Sequence, residues 1–339
     1  MRETEFSTPA VGVPTEVAPG ILLLKLPLPT RLNHVNTYLL EDDDGWTIID
    51  TGMQYEGCIT AWSKVFGGVL SSKRVTRLLI THFHIDHVGL AGWFDRTFAP
   101  TLHMSQTEYL LSRVFESQDW GTDLNCQIAF FRQCGLSAER ADEISRGRLS
   151  YQAYRTPLPG VFHRIRAGDA IRIGGRDWRI LTGAGHSVEQ VMLYDPADNI
   201  FLSADQVLPE ISPIISVGPM LPNANPLGDY LQFLHEIKDQ VADNVLVLPG
   251  HRNPFLGLHE RIRELQRHHE IRCAAVLEAC NESALTGFDL VPAVFGRTFK
   301  NDVIGHAVGE AVAHANYLRA QGKLASKTGS DGQIFYVTL

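Results

Sequence analysis

Between Thr81 and His87 the chain reads Thr-His-Phe-His-Ile-Asp-His, which gathers three imidazoles and one carboxylate into a single short run. The run follows Thr76-Arg77-Leu78-Leu79-Ile80, a β-prone apolar segment that reads as a buried strand. In an extended chain alternate side chains point the same way, so His82 and His84 can face one point together. Asp86 and His87 follow on the turn and can reach a second point nearby. Imidazole nitrogen and carboxylate oxygen are what borderline-soft divalent cations such as Zn²⁺ bind, at about 2 Å. Burying these groups with no cation would carry a large polar-burial cost. Three further residues close later strand-like runs: His186 in Gly185-His186-Ser187, Asp205 in Ser203-Ala204-Asp205 and His251 in Pro249-Gly250-His251. Each is weak alone. In succession after an HxHxDH run they point to one metal-binding edge. Glycine before His186 and His251 lets the backbone turn tightly beside a ligand.

The elements that must position these groups follow from pattern. Ile21–Leu24, Thr37–Leu40 and Trp46–Ile49 read as antiparallel strands, with a turn at Asp42–Gly45. Residues 55–70 read as a helix, and 105–148 as two or three helices inserted into the sheet framework. Strand signals resume at 169–173, 178–181, 191–194 and 200–203, with Gly174-Gly175 as a hairpin turn. A helix fits 228–242 and a strand 245–248. Beyond Gly257, helices fit 259–280, 286–296 and 304–321, followed by a hairpin over 323–328 and 333–339. This divides the chain into a polar, Pro-rich extension trailing over the surface (1–20), a body (21–257, with its insertion at about 105–150) and a tail (258–339). No internal repeat is evident.

Composition narrows the classes. A length of 339 residues accommodates two domains, or one large domain with an appendage. With 44% hydrophobic and 20% charged residues, a disordered, fibrous or coiled-coil chain is excluded. The net charge of −8 argues against nucleic acid or an anionic membrane as a general partner. No apolar run approaches the ~20 residues of a membrane span. Met1–Ala10 carries acids and no apolar stretch of a secretory signal, and the scattered cysteines form no CxxC. A cytoplasmic protein with reduced thiols is the expectation.

Asp50-Thr51-Gly52, the HxHxDH at 82–87, Gly185-His186-Ser187, Asp205 and Gly250-His251, in that order over about residues 20–257, resemble the metallo-β-lactamase superfamily. The resemblance implies an α+β fold, an αββα sandwich with its metals at one edge. It further implies that His82, His84 and His186 hold one ion, that Asp86, His87 and His251 hold a second, and that Asp205 bridges them. Asp50 would fix a ligand's orientation from behind. The implied cofactor is a pair of divalent ions, Zn²⁺ by default, with Fe or Mn also suited to a His/Asp set. The complete ligand set, Asp205 above all, resembles glyoxalase II-like hydrolases more than true β-lactamases. The loop Ser187-Val188-Glu189-Gln190 departs from the Pro-Gly or Gly-Ser continuation of many relatives.

The implied reaction is hydrolysis of a small-molecule thioester, lactone or ester by a hydroxide shared between the metals. Asp86 and Asp205 would be the catalytic residues, orienting the hydroxide and passing a proton. The alternatives are a phosphodiesterase or ribonuclease, and a persulfide dioxygenase with mononuclear iron. A non-enzymatic binder that kept the fold would usually have lost ligands, and none is missing here. Tyr109, Phe115, Trp120, Phe130 and Phe131 of the insertion could form an apolar lid over the metals. The tail resembles a winged-helix unit of three helices and a two-stranded wing. Its Lys and Arg are balanced one for one by Asp and Glu, and helix 304–321 sets Glu310 against Arg319 alone. Nucleic acid is therefore not expected. Packing or dimerisation is expected instead, which leaves a homodimer open. His268-His269 reads as a polar helix face or tail-to-core contact rather than a third metal site.

Overall fold

The computed structural model describes residues 2–3, 9–68, 70–71, 73–116, 124–299 and 301–339. In chain order the elements are β1 (Arg2–Glu3), β2 (Thr15–Ala18), β3 (Ile21–Pro27), β4 (His34–Asp42), β5 (Gly45–Ile49), α1 (Glu56–Gly67), β6 (Val75–Leu79), α2 (Ile85–Val88), α3 (Ala91–Phe98), β7 (Thr101–Met104), α4 (Gln106–Glu116), α5 (Leu124–Gln133), α6 (Ala138–Ser150) and β8 (His163–Arg164). There follow β9 (Ala170–Ile173), β10 (Arg176–Gly183), β11 (Gln190–Asp195), β12 (Ile200–Ala204), α7 (Pro226–Gln240), β13 (Leu246–Pro249), β14 (Phe255–Leu256), α8 (Leu258–Glu282), β15 (Leu285–Thr286), α9 (Val291–Phe295), α10 (Asn301–Ala320), β16 (Leu324–Thr328) and β17 (Ile334–Thr338).

Two seven-stranded mixed sheets carry the body. One runs β2-β3-β4-β5-β6-β7-β8, the other β1-β14-β13-β12-β11-β10-β9. Adjacent residues on a strand serve opposite faces, so each apolar run feeds two cores. Leu23, Leu79, Leu202 and Leu248 point into the layer between the sheets, with Tyr38, Trp178 and Ile180. Their neighbours Leu24 and Leu78 face outward onto α1 and α3, against Trp62 and Phe94. On the far side Phe201 and Val247 face α7, α8 and α10. The layers are therefore helix, sheet, sheet, helix.

Several expectations are corrected. Residues 15–18 do not trail over the surface; they pair with β3, and Val17 is buried. Helices α2 and α3 and strand β7 follow the histidine run without having been anticipated. The insertion resolves into α4, α5 and α6. In the tail α9 is much shorter than the expected 286–296, because Leu285–Thr286 joins β16 and β17 in a three-stranded sheet of order β15-β17-β16. The tail also shares one continuous core with α5, α6, α7 and the outer face of the second sheet.

Candidate metal centre

Every anticipated ligand lies just beyond the C-terminal end of a strand, at one edge of the sandwich. His82 and His84 follow β6, with Asp86 and His87 on the short α2; His186 follows β10, Asp205 follows β12 and His251 follows β13. The pairs β5–β6 and β12–β13 are parallel, so their ends open on the same side. Hydrogen bonds staple the two sheets there. Val191 N donates to the Thr81 carbonyl (2.8 Å), and the Pro249 carbonyl accepts from both Tyr38 Oη and Asn36 Nδ2 (2.8 Å each).

The donors converge in three overlapping groups: His82, His84 and His186; His82, His87 and Asp205; Asp86, His87 and His251. Within each group the ligand atoms lie within 4.8 Å of one another. His84 Nδ1 is 3.0 Å from both His82 Nε2 and His186 Nε2. Asp205 Oδ2 lies 3.5, 3.4 and 3.2 Å from Nε2 of His87, His186 and His251, so it faces both halves of the site. Asp86 Oδ2 lies 3.4 Å from His251 Nε2.

The far side of three of the rings is anchored, which fixes where their inner nitrogens point. His87 Nδ1 donates to Asp50 Oδ2 (2.8 Å), His186 Nδ1 to the Ile214 carbonyl (3.0 Å) and His251 Nδ1 to the His34 carbonyl (2.9 Å). Asp50 also accepts from Thr81 N and Thr81 Oγ1, both at 2.8 Å, so it ties the end of β5 to the start of the histidine run. The residues present fit a metal. His87 Nε2 and Asp205 Oδ1 are buried polar atoms with no hydrogen-bond partner, and both belong to the converging donor set. Such orphans are costly unless a cation takes them up.

Backbone geometry shows how tightly the edge is drawn in. Asp50 (φ 61°), Ala204 (φ 44°) and Arg252 (φ 71°) are left-handed without being glycine, a strain of about 1–3 kcal/mol each that clusters at functional sites. At Gly250 a β-carbon would collide with Asp205 Oδ1, and at Gly185 (φ +111°) it would collide with Tyr230.

Electrostatically the two halves differ. Burial, then the neighbouring imidazoles, holds His82 and His84 well below the usual histidine range. Burial works the same way on His87 and His251 but is outweighed by carboxylates. Asp205, Asp86 and Asp50 hold His87 well above its ordinary value, and Asp205 and Asp86 push His251 up to about 10. Burial would raise Asp205, but His251 and His87 hold it well below the carboxylate range.

The aromatic lid is not formed as anticipated. Phe130 and Phe131 are buried in the core shared with the tail. Tyr109 stacks on Phe162 with ring centroids 3.9 Å apart and donates to the Pro159 carbonyl. Phe115 stacks on Phe83, the residue between His82 and His84. Trp120 lies outside the described residues. His268-His269 takes up a tail contact, with His269 against His314 and the Tyr230 ring. Sequence reasoning missed Glu108, a fully buried carboxylate on α4 that accepts from Phe83 N and Ser187 Oγ. A lone glutamate in a helix-prone stretch carries no signal of its own.

Comparison with known proteins shows the family and the fold. The family described as Metallo-beta-lactamase superfamily matches residues 30–251, and one described as Metallo-beta-lactamase-like, C-terminal domain matches 273–339. The solved structure of a Beta-lactamase domain protein from Burkholderia ambifaria is 36% identical, with a TM-score of 0.90 over 99% of this chain and 97% of that one. The probable metallo-hydrolase YqjP of Bacillus subtilis is 23% identical over 318 residues, 90% of this chain and 94% of that protein. The acyl-coenzyme A thioesterase MBLAC2 of Bos taurus is 25% identical over 235 residues, 66% of this chain and 75% of that protein.

Proposed function

The chain belongs to the metallo-β-lactamase superfamily and is a hydrolase of that superfamily, and from that premise we propose that it is a dinuclear, zinc-dependent acyl hydrolase of the glyoxalase II-like branch, acting on a small-molecule thioester. The observation that carries the reading is Asp205, whose Oδ2 lies within 3.5 Å of histidines from both donor groups. So placed, one carboxylate is within reach of an ion in either half of the site. His82, His84 and His186 would hold one ion, Asp86, His87 and His251 the other, and Asp205 both. Bound there, two divalent ions supply a water nucleophile near neutral pH and Lewis-acid polarisation of the scissile carbonyl.

The chain's own residues do the rest. Asp50 keeps His87 oriented through its Nδ1 proton. Asp205 orients the attacking water. Asp86, whose side chain is 18% exposed against 7% for Asp205, takes the water proton and delivers it to the leaving group. Val188 and Ile214, 54% and 42% exposed, flank His186 and offer an apolar mouth for an acyl group. The name borne by the thioesterase relatives favours a thioester over a lactone or simple ester. We read residues 21–257 as the hydrolase unit with its insertion at about 105–150, and 258–339 as a winged-helix-like tail; three helices and a small sheet support that. The buried thiols of Cys58, Cys134, Cys273 and Cys280 favour a reducing, cytoplasmic setting.

The test is one panel. Purified protein of measured metal content is assayed on acyl thioesters, lactones, bis-p-nitrophenyl phosphate and a β-lactam. The expected result is about two equivalents of zinc and fastest turnover of a thioester. Preference for the phosphodiester, or a single equivalent of iron, would overturn the reading.

A further inference from the structure

We propose that Glu108 is a positioning residue for the three-histidine half of the centre: its carboxylate fastens the turn carrying His82 and His84 to the loop carrying His186. The inference rests on these histidines being ligands, but not on any choice of substrate.

Glu108 sits on α4, the first helix of the insertion, and is completely buried. Its Oε2 accepts from Phe83 N (2.9 Å), the amide between the two histidines of the run. Its Oε1 accepts from Ser187 Oγ (2.6 Å), Val188 N (3.1 Å) and Glu189 N (2.7 Å), the residues that follow His186. One carboxylate therefore receives four donors from two segments far apart in sequence. An ionised carboxylate is the side chain suited to this, since it accepts at both oxygens and donates at neither. The Ser187 Oγ bond is buried and the three amide bonds are part-buried, so the carboxylate is the acceptor these donors have inside the protein.

Further contacts make the same junction. Glu189 Oε2 accepts from Thr107 N (3.2 Å), and the Glu189 carbonyl accepts from Ser105 Oγ (2.9 Å). The Glu189 carboxylate thus lies at the N-terminal end of α4, where negative charge is favoured. Phe115, at the other end of the same helix, stacks on Phe83 at 5.0 Å and 3°. The Ser-Val-Glu continuation after His186 is thereby explained: Ser187 and Glu189 are the two side chains that dock this loop on α4. The separation of His186 from His82 and His84 is set by a helix that supplies no ligand.

The test reads metal affinity and not turnover, so a wrong substrate leaves it untouched. Zinc affinity is measured by chelator competition on Glu108→Gln, Glu108→Ala and Ser187→Ala, alongside thermal melts. The visible spectrum of the Co²⁺-loaded proteins and amide exchange in the metal-free chain are recorded as well. Glutamine keeps the shape but must aim its NH₂ at backbone donors on one side. Zinc affinity should fall 10–100-fold in Glu108→Gln, the range for residues that orient ligands. Ser187→Ala should lose less, the Co²⁺ spectrum of Glu108→Gln should shift, and exchange should quicken at Phe83, Val188 and Glu189. If Glu108→Ala does not fold, the other two variants decide. Zinc affinity and Co²⁺ spectrum unchanged in folded Glu108→Gln and Ser187→Ala would overturn the proposal.

Discussion

Asp205 is the residue on which both donor groups turn, and it is held there by its neighbours. Gly250 leaves room for its Oδ1, and Ala204 adopts a left-handed backbone just before it. Asp205→Ala should cost a shared ligand while leaving the sheet strands intact. The expected outcome is loss of one of two metal equivalents and a fall in hydrolysis of ~10² or more; metal analysis and turnover on the same preparation check it. At this scale much of the site was legible in the sequence. His82, His84, Asp86 and His87 are contiguous and need no fold to bring them together. His186, Asp205 and His251 could be picked out because each closes an apolar strand-like run. Glu108 could not, because its partners Ser187 to Glu189 lie 79 to 81 residues away and only the tertiary fold joins them.

Where α8 meets α10, a pair of neutral histidines is packed out of water. His314 Nδ1 donates to the Glu310 carbonyl (2.8 Å), so its Nε2 is left to accept from His269 Nδ1 (3.2 Å). Protonating His314 would set donor against donor. Burial, then His314, His268 and Arg272, holds His269 down to about 2, and burial with Arg272 and His268 nearby holds His314 down to about 4. The Glu310 carboxylate is engaged by Arg272. Both folded-state values lie below the unfolded one near 6.5, so below that pH the unfolded chain binds protons that the folded one refuses. Stability should therefore drop as pH falls from 7 toward 4, each histidine contributing up to about 1.4 kcal/mol per pH unit. Urea unfolding at several pH values, with a His269→Leu/His314→Leu variant losing part of the slope, checks it. The elements themselves were unevenly legible. Long periodic stretches such as α8 and α10 were read nearly to their ends. The short α2, α3 and β7 were missed because a few residues give no periodicity, and β2 was missed because its pairing with β3, not its polar composition, makes it a strand.

Across the whole molecule, the tail grips the segment that carries Ile214. Arg261 of α8 donates to the Leu208 (2.7 Å) and Ile211 (2.9 Å) carbonyls. On α10 the Gly309 carbonyl accepts from Val217 N (3.0 Å), and Asn316 Nδ2 donates to the Pro222 (3.0 Å) and Ala224 (2.9 Å) carbonyls. The same segment offers the Ile214 carbonyl that anchors His186. Removing residues 258–339 would bare the core that α8 and α10 share with α7 and the second sheet. The truncated chain is expected to be insoluble or unstable. The full chain should bind neither RNA nor DNA tightly, since the tail carries no surplus of positive charge. Submicromolar, salt-sensitive nucleic-acid binding lost on truncation would contradict this.

The carbonyl and carboxylate anchors behind His87, His186 and His251 have a consequence for how fast and how selectively the site fills. A free histidine gives up rotational freedom when it captures an ion, a cost of about 0.5–1.5 kcal/mol for each side chain frozen at the moment of binding. In the folded chain these three rings are already held, so less of that freedom is left for an ion to take away. The donors wait as a preorganised receptor whose spacing was decided by the scaffold. Such a receptor gains affinity without added contacts, and it discriminates among cations by fit, because it does not readily rearrange around one of the wrong size.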